Sequence, residues 1–303
     1  MNFNQLELLL LLQDSHFNQS KAAEKLNVVQ SAASRQLQLF EEELGSPLFE
    51  RHGKKLLGFT SLGERVMKQI EVMELCRRNI QVIADDFKDS SKGVLRIATT
   101  HTQAKYLLPV PIRHFRDRYP DVTIYMVQSS PGEIVDLLHH HKADLAICTE
   151  KLEDNDRLII KPCYQWHHIA IVPHGHPLTE GAVTLSRLAS YPLLTYSAGY
   201  TGRSNIEKAF SQAGLEPDIN LSAADSDVIK TYVRLNLGVG IIAGTSYEPI
   251  NDLDLIALDL SELIPRSVTK LAYLKQLYLS AYLRFFIEEV LSKGGLAPPA
   301  TPE

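Results

Sequence analysis

Apolar positions recur at helical spacing through the first ninety residues and at strand spacing after that, so the change of period divides the chain. Residues 2 to 14 place Phe3, Leu6, Leu9 and Leu10 on one stripe, widened by Leu8, Leu11 and Leu12, and predict a first helix. A second helix from Ser20 to Leu26 is expected to bury Ala22, Ala23 and Leu26, with a short turn through Asn27 and Val28. From Ser31, a third helix puts Ala33, Leu37, Phe40 and Leu44 on one stripe and Ser31, Ser34, Arg35 and Gln38 roughly opposite. That polar face carries no acid, and its short or planar hydrogen bonders suit phosphates and base edges in a major groove. Gly45 is a natural left-handed cap and Pro47 prevents continuation. The pattern reads as a helix-turn-helix, although a plain helical hairpin with a solvated polar face has the same spacing. The next residues favour the helix-turn-helix. Arg51, His52, Gly53, Lys54 and Lys55 form a basic turn with apolar flanks, as in a two-stranded wing lying on a phosphate backbone.

Residues 60 to 88 predict one long helix. Phe59, Leu62, Val66, Gln69, Met73, Cys76, Ile80, Ile83 and Phe87 alternate steps of three and four, a heptad seam with Gln69 as its polar position. Such a seam suits pairing with a second copy; the alternative is a helix packed on its own domain. The polar run Asp85 to Gly93 makes a hinge. Beyond it strands alternate with helices: a strand at Val94 to Ala98, a helix around Tyr106 to Tyr119, a strand at Val122 to Val127, a helix at Gly132 to His141 and a strand at Asp144 to Cys148. After Pro162 the pattern restarts, with strands at Ile169 to Val172, Pro192 to Tyr196, Ile219 to Ala223 and Gly238 to Ile242, and helices at Thr184 to Ala189, Ser204 to Ala213 and Val228 to Leu235. Ser267 to Leu274 is a return strand and Leu279 to Leu291 a closing helix. Alternation of this kind means parallel sheets, here two α/β lobes around a cleft, like the periplasmic binding proteins. The crossings are expected near Lys161–Pro162 and Pro265–Arg266. The Pro-, Gly- and Ala-rich tail from Gly294 to Glu303 is expected to be disordered.

The chain is thus α/β with an all-α N-terminal part. Residues 1–59 form a winged helix-turn-helix domain, 60–92 a dimerising linker helix and hinge, and 93–303 a two-lobed domain. Its first lobe takes about 93–161 and 266–292, and its second about 162–265. Composition adds limits. The 303 residues are 45% hydrophobic and 22% charged, ordinary for a globular protein, with a net charge of −5. That balance argues against a general polyanion coat protein and leaves room for a small basic face. Cys76, Cys148 and Cys163 form no metal spacing or disulfide framework, which suits a reducing compartment. The run Leu8 to Leu12 is too short to span a bilayer and lacks the flanks of a secretory signal, so a cytoplasmic location is expected, with no membrane partner.

Several motifs resemble the LysR-type transcriptional regulators: Ala22-Ala23 through Leu26, Ser34-Arg35-Gln36-Leu37, Glu42-Glu43-Leu44-Gly45, Pro47-Leu48-Phe49-Glu50-Arg51, and Thr60 with Gly63. On this reading the DNA-binding candidates are Ser20, Gln30, Ser31, Ser34, Arg35 and Gln38, with Arg51, Lys54 and Lys55 on the wing. The second half is similar to the CysB and Cbl branch, on Ala98 through Ala104, Ile147 through Glu150, Pro162-Cys163-Tyr164 with Trp166, Tyr191-Pro192-Leu193, Gly199 with Thr201 through Ser204, and Asp225 through Arg234. The resemblance runs from residue 1 to about 290. It implies a regulator of sulfur assimilation and cysteine biosynthesis genes that acts on promoter DNA as a homodimer or homotetramer with RNA polymerase. Its inducer would be of the N-acetylserine or O-acetylserine type, or adenylyl sulfate for a Cbl, with sulfate or thiosulfate opposing.

The residues support a small-anion site in the cleft. Thr100, Thr102 and Gln103 follow the first strand of one lobe, Thr149 ends a later strand, and Thr201 precedes a helix start in the other lobe. Ligands of open α/β sheets sit beyond the carboxyl ends of strands, where helix N-termini offer free donors. Each threonine taken alone also suits a helix cap. The resemblance implies the same five residues as the anion site, with Trp166 covering it. Other groups read as structural. His139, His140 and His141 end a helix and point apart, His174 and His176 sit on a loop, and Asp225, Asp227 and Lys230 suit an N-cap at Asp227 and an interlobe contact. Gly238 and Gly240 are a lone glycine pair, short of a dinucleotide fingerprint. No metal, cofactor or catalytic residue is expected. The rival readings are a LysR-type regulator of another pathway, or a small-anion-binding protein or enzyme using the cleft. The missing secretory signal argues against a solute-binding protein, and the lack of a paired nucleophile and base near the threonines argues against an enzyme.

Overall fold

The computed structural model describes residues 2–53, 55–153 and 156–293, so Lys54 and the tail from Gly294 lie outside the described residues. The chain divides into two compact units, Met1–Gln81 and Val82–Glu303.

In the first unit, helix α1 (Phe3–Asp14) opens on a reciprocal cap: Asn2 Oδ1 accepts from the Gln5 N–H at 3.0 Å, and Gln5 Oε1 accepts from the Asn2 N–H at 2.9 Å. Its buried face is Gln5, Leu6, Leu8, Leu9 and Leu12. Phe3, expected inside, is 66% exposed, because the cap turn lies beyond the edge of the core. Helix α2 (Gln19–Lys25) starts at the Asn18 cap and buries Ala22 and Ala23, with Leu26 half-buried. Asn27, in the left-handed region at φ 56°, makes the tight turn toward α3 (Gln30–Leu44). Ala33, Leu37 and Phe40 are buried there, but Leu44 is exposed, since the core beneath α3 ends at Phe40 and Gly45 (φ 69°) turns the chain away.

The wing is an antiparallel pair, β1 (Phe49–His52) and β2 (Lys55–Phe59). Glu41 anchors it, accepting from the Leu48 N–H at 2.7 Å and pairing with Arg51 at 2.6 Å. Helix α4 (Ser61–Lys88) then runs 28 residues across the boundary between the units. Thr60 explains its start: the hydroxyl accepts from the Gly63 N–H at 3.0 Å and donates to the Pro47 carbonyl at 2.9 Å. Gly63 lies hard against that segment, and a Cβ there would fall 2.1 Å from the Leu48 carbonyl oxygen. The face of α4 packed on its own unit is Gly63, Met67 and Ile70, with Leu75 further along. Most of the heptad seam lies elsewhere: Leu62, Met73, Cys76, Ile80, Ile83 and Phe87 are exposed.

The second unit holds two five-stranded sheets. One has the order β4-β3-β5-β12-β6 and the other β11-β7-β10-β8-β9. In chain order, β3 (Gly93–Thr99), α5 (His101–Tyr106), α6 (Pro109–Arg118), β4 (Val122–Gln128), α7 (Pro131–His139), β5 (Leu145–Cys148) and β6 (Leu158–Trp166) build most of the first lobe. The second lobe takes β7 (His168–Pro173), α8 (Leu185–Leu188), β8 (Leu193–Tyr196), α9 (Arg203–Gln212), β9 (Ile219–Ala223), α10 (Ser226–Arg234), β10 (Val239–Ala243) and β11 (Leu255–Asp259). The chain then returns through β12 (Ser267–Leu274) and closes with α11 (Ala281–Lys293) on the first lobe, where Phe286 and Val290 pack against Phe115 and Leu95 in one core.

Both sheets are mixed rather than parallel, since β7 runs antiparallel to β10 and β11, and β12 antiparallel to β5 and β6. Three further features of the second unit differ from the sequence reading. The helix expected around Tyr106 to Tyr119 is two helices, α5 and α6, the second opening with Pro109 in its first turn. Strands β6 and β11 had no clear pattern. Pro162 interrupts β6, which tolerates it as an edge strand, bulged where Thr269 and Lys270 face Tyr164 and Pro162. The crossing expected near Lys161–Pro162 therefore falls inside β6, whose pairing runs on to Trp166 opposite Ser267. Cys148 and Cys163 are buried and burial pushes both thiols up, Cys163 to about 12. Among the described residues no helix is long and apolar enough to cross a membrane.

The close approach at Gly63 is testable. Gly63→Ala forces α4 off the Pro47–Leu48 backbone and should cost about 1–3 kcal/mol. A urea titration should show a lower midpoint for the first unit, while Leu57→Ala, at an exposed wing position, leaves it unmoved.

Candidate functional site

On the first unit, Ser20, Gln30, Ser31, Arg35 and Gln38 are exposed, and Ser34 is half-buried. Gln19 fixes the angle between α2 and α3, its amide oxygen accepting from the Ser34 hydroxyl at 2.9 Å and the Gln30 amide at 3.2 Å. The helix face expected to be free of acids carries one: Glu42 lies 3.5 Å from the Arg35 guanidinium, two turns along the same stripe. Arg51 is paired with Glu41, and Lys55 is exposed.

In the second unit, Thr100, Thr102, Gln103 and Thr201 are all buried at the junction of the two lobes. Thr100 occupies the cap position of α5 without making a side-chain cap bond. Thr102 is 1% exposed, and its hydroxyl makes no hydrogen bond of good geometry. It neighbours the Tyr196 hydroxyl at the end of β8, with Ser226 and Ser246 also close, so hydroxyls from both lobes meet there. Burial pushes the Tyr196 phenol up to about 12. Gln103, Thr149 and Trp166 are joined through two residues that sequence reasoning missed. Tyr164 donates to Gln103 Oε1 at 2.7 Å, and Thr269 accepts from the Trp166 ring N–H at 3.2 Å and lies 3.4 Å from the Thr149 hydroxyl. Thr201 sits at φ 37° before Gly202, whose N–H donates to Glu150. His168 lies against Gly202, fully buried, with burial holding its imidazole down near a pKa of about 4. Glu150 and Tyr164 belong to motifs of the resemblance but carry no site role in the sequence reading, and His168 and Thr269 carry no signal at all; each lies mid-strand or beside a strand end, where one-sequence patterning reads only core.

A charged cluster bridges the lobes beside this interior. Asp227 of α10 accepts from Lys105 at 2.7 and 2.8 Å, from Tyr106 at 2.9 Å, and lies 2.9 Å from His101 Nε2, all three on α5. The interlobe contact is as expected, but the cap of α10 is Asp225, which accepts from the Val228 N–H at 3.0 Å; this frees Asp227 to reach across. Lys230 is buried and pairs with Asp252 at 2.6 Å, which Arg234 also holds at 2.9 Å. His101, Asp225 and Asp227 bring ligand atoms within 4.8 Å of one another, yet the Lys105 ammonium already faces both Asp227 oxygens, so this is an ion-pair network. His140 ties back to the Asp136 carbonyl at 2.7 Å at the end of α7.

Residues 3–64 match the bacterial regulatory helix-turn-helix protein, lysR family, and residues 88–294 match the LysR substrate binding domain. The chain belongs to the LysR family of transcriptional regulators. It is 43% identical to the HTH-type transcriptional regulator SsuR of Burkholderia cenocepacia over 289 residues, covering 95% of this chain and 94% of SsuR. It is 41% identical to the regulator cbl of Escherichia coli strain K12, covering 98% of this chain and 94% of cbl. The crystal structure of the cofactor-binding domain of the Cbl transcriptional regulator aligns with a TM-score of 0.65 at 43% identity, over 68% of this chain and 90% of that one. The chain is therefore a LysR-type regulator of the CysB and Cbl branch, a DNA-binding protein with a ligand-binding domain rather than an enzyme.

The Asp227 network carries a pH signature. Burial pushes the Asp227 carboxyl up, but the Lys105, His101 and Tyr106 contacts together outweigh it and hold the carboxyl at about 2, below its unfolded value. Its contribution is therefore present above the unfolded pKa near 4 and lost as pH falls toward 2. Asp227→Asn should lower the urea midpoint of the second unit at pH 7 and narrow the gap between pH 7 and pH 3. An equal drop at both pH values would show that the carboxylate charge is not what the network uses.

Proposed function

We propose that this LysR-type regulator controls genes of sulfur assimilation and cysteine biosynthesis in response to a small sulfur-pathway metabolite held between the lobes. The carrying observation is the buried polar interior where Thr102 meets Tyr196, Ser226 and Ser246 across the lobes. It offers neutral donors at the start of α10, whose first residue is the buried Ser226, which supports a small anionic ligand. Thr100, Thr102, Gln103, Thr149 and Thr201 are the proposed contacts, with Trp166 covering them. An N-acetylserine or O-acetylserine type ligand is the inducer on this reading, and sulfate or thiosulfate opposes it. The relatives SsuR and cbl support the branch.

Contacts from both lobes favour the closed cleft in proportion to the ligand's preference for it. The proposed output is DNA binding through Ser20, Gln30, Ser31, Ser34, Arg35 and Gln38, with Arg51, Lys54 and Lys55 on the wing, at promoters where the protein meets RNA polymerase in the cytoplasm. The exposed seam of α4 supports a homodimer, and a homotetramer forms if a second surface also pairs.

Calorimetry on the full chain tests the cleft. Thr102→Val keeps the shape and removes one hydroxyl, so sulfate, thiosulfate or N-acetylserine should each lose about 0.5–1.5 kcal/mol of binding while DNA affinity holds. Unchanged affinity for all three would place the site elsewhere. Ile80→Asp tests the seam separately: a charge there would be buried unpaired in the dimer, and sedimentation should show smaller assemblies with weaker operator binding. An unaltered mass distribution would remove the seam from the assembly.

A further inference from the structure

The α9 N-terminus, where an anion would be expected to sit, already holds an anionic group of this chain. Gly202 caps α9 in the left-handed region at φ 72°, and its N–H donates to one oxygen of Glu150. Only glycine fits: a Cβ would lie 2.6 Å from the Ser267 hydroxyl and 2.8 Å from His168 Nε2. The second Glu150 oxygen is buried and makes no hydrogen bond of good geometry. Beside it, His168 is fully buried, and neither ring nitrogen has a well-formed bond, although the Thr201 backbone lies close enough to favour its charged form slightly. A buried carboxylate oxygen of the half-buried Glu150 and the fully buried His168 imidazole, from different lobes and both under-satisfied, thus converge on one helix start, which native interiors rarely leave without a role.

We propose that Glu150 is a resident carboxylate on the effector seat, which admits ligands that bring a hydrogen-bond donor to its second oxygen and admits inorganic anions only when it is protonated. This rests on the reading of the cleft as the effector site. A charged Glu150 and a sulfate would repel each other in a poorly screened interior. A neutral Glu150 still accepts from Gly202 through its carbonyl oxygen while its hydroxyl donates to the anion. Sulfate binding is then coupled to uptake of one proton. A ligand carrying a hydroxyl, amide N–H or ammonium group meets the charged form and takes up none.

The surroundings permit this switch. Burial pushes the Glu150 carboxyl up, against the opposing pull of the Gly202 and Thr201 backbone and the Lys270 charge. Lys270 on β12 also donates to the Leu152 carbonyl at 2.9 Å. Cys148 on β5 stays a thiol, its sulfur 3.1 Å from the Glu150 carbonyl oxygen. On α9, Arg203 turns to the Tyr196 carbonyl at 2.6 Å and to Glu207 at 3.0 Å. On the second lobe's side, His168 is held neutral by burial, and His167 lies 3.5 Å from Asp259.

Titration calorimetry on the full chain with sulfate, between pH 6 and 8 in buffers of different ionisation enthalpy, reads affinity and proton uptake together. Wild type should take up protons with sulfate, up to one per sulfate as the carboxyl ionises with rising pH, and should weaken by up to about tenfold per pH unit over that range. Glu150→Gln is permanently neutral, with an amide that can donate in place of the acid. It should bind sulfate at least tenfold more tightly at pH 8, show a flat profile and take up no proton. The gate is overturned if Glu150→Gln keeps the wild-type profile and proton count while Thr102→Val loses affinity, an outcome that leaves the cleft reading standing. If neither substitution changes sulfate binding, the cleft reading falls and the gate with it. If wild type binds no sulfate, a gain in Glu150→Gln supports the gate and silence in both overturns it. Circular dichroism establishes that each variant is folded.

Discussion

The geometry of the second unit depends on one strand pair. Strands β6 and β12 run antiparallel from Leu158–Leu274 at one end to Trp166–Ser267 at the other, and both connections between the lobes leave from that last pair. Two crossings side by side make a narrow hinge, so the lobes can approach along few paths. Trp166 is locked there by its N–H to Thr269, and Asn205 of α9 reaches back to the Ser267 hydroxyl at 2.9 Å. The interior facing this hinge is built from hydroxyls, an amide, one carboxylate and the His168 imidazole.

Charge is distributed accordingly. The ion pairs of Lys105 with Asp227 and of Arg234 with Asp254 stand at partly exposed positions, where desolvation costs least. Lys230 with Asp252 is the buried exception, and Arg234 and the Glu248 N–H satisfy what the lysine leaves open. A buried pair of that kind is weak support for stability, since its desolvation offsets most of its attraction. Its structural effect is positional, because it ties the loop through Asp252 to the helix that carries Asp227.

Sequence reading reached the architecture where periodicity was strong. The stripe through Ala33, Leu37 and Phe40, the left-handed Gly45, the wing and the strands Ile219–Ala223 and Ser267–Leu274 stand where the pattern put them. It failed where local signals conflict with position in the sheet. Pro162 hid β6 because a proline normally breaks a strand, and only edge placement, a tertiary fact, makes it acceptable. The site divides in the same way. Threonines after strands could be picked out by position, whereas Tyr164 and Thr269 join the cleft through pairing between strands about a hundred residues apart. Glu150 stood out only as the end of a motif, because a lone acid after a strand carries no sign of which helix start it will meet.

The three cysteines differ in a practical way. Cys148 and Cys163 lie in the interior with their thiols raised by burial, while Cys76 is exposed on α4. Thiolate, not thiol, reacts with alkylating reagents. The folded chain therefore presents one exposed thiol, on α4, as a native attachment point for a single fluorophore or spin label that needs no engineered residue.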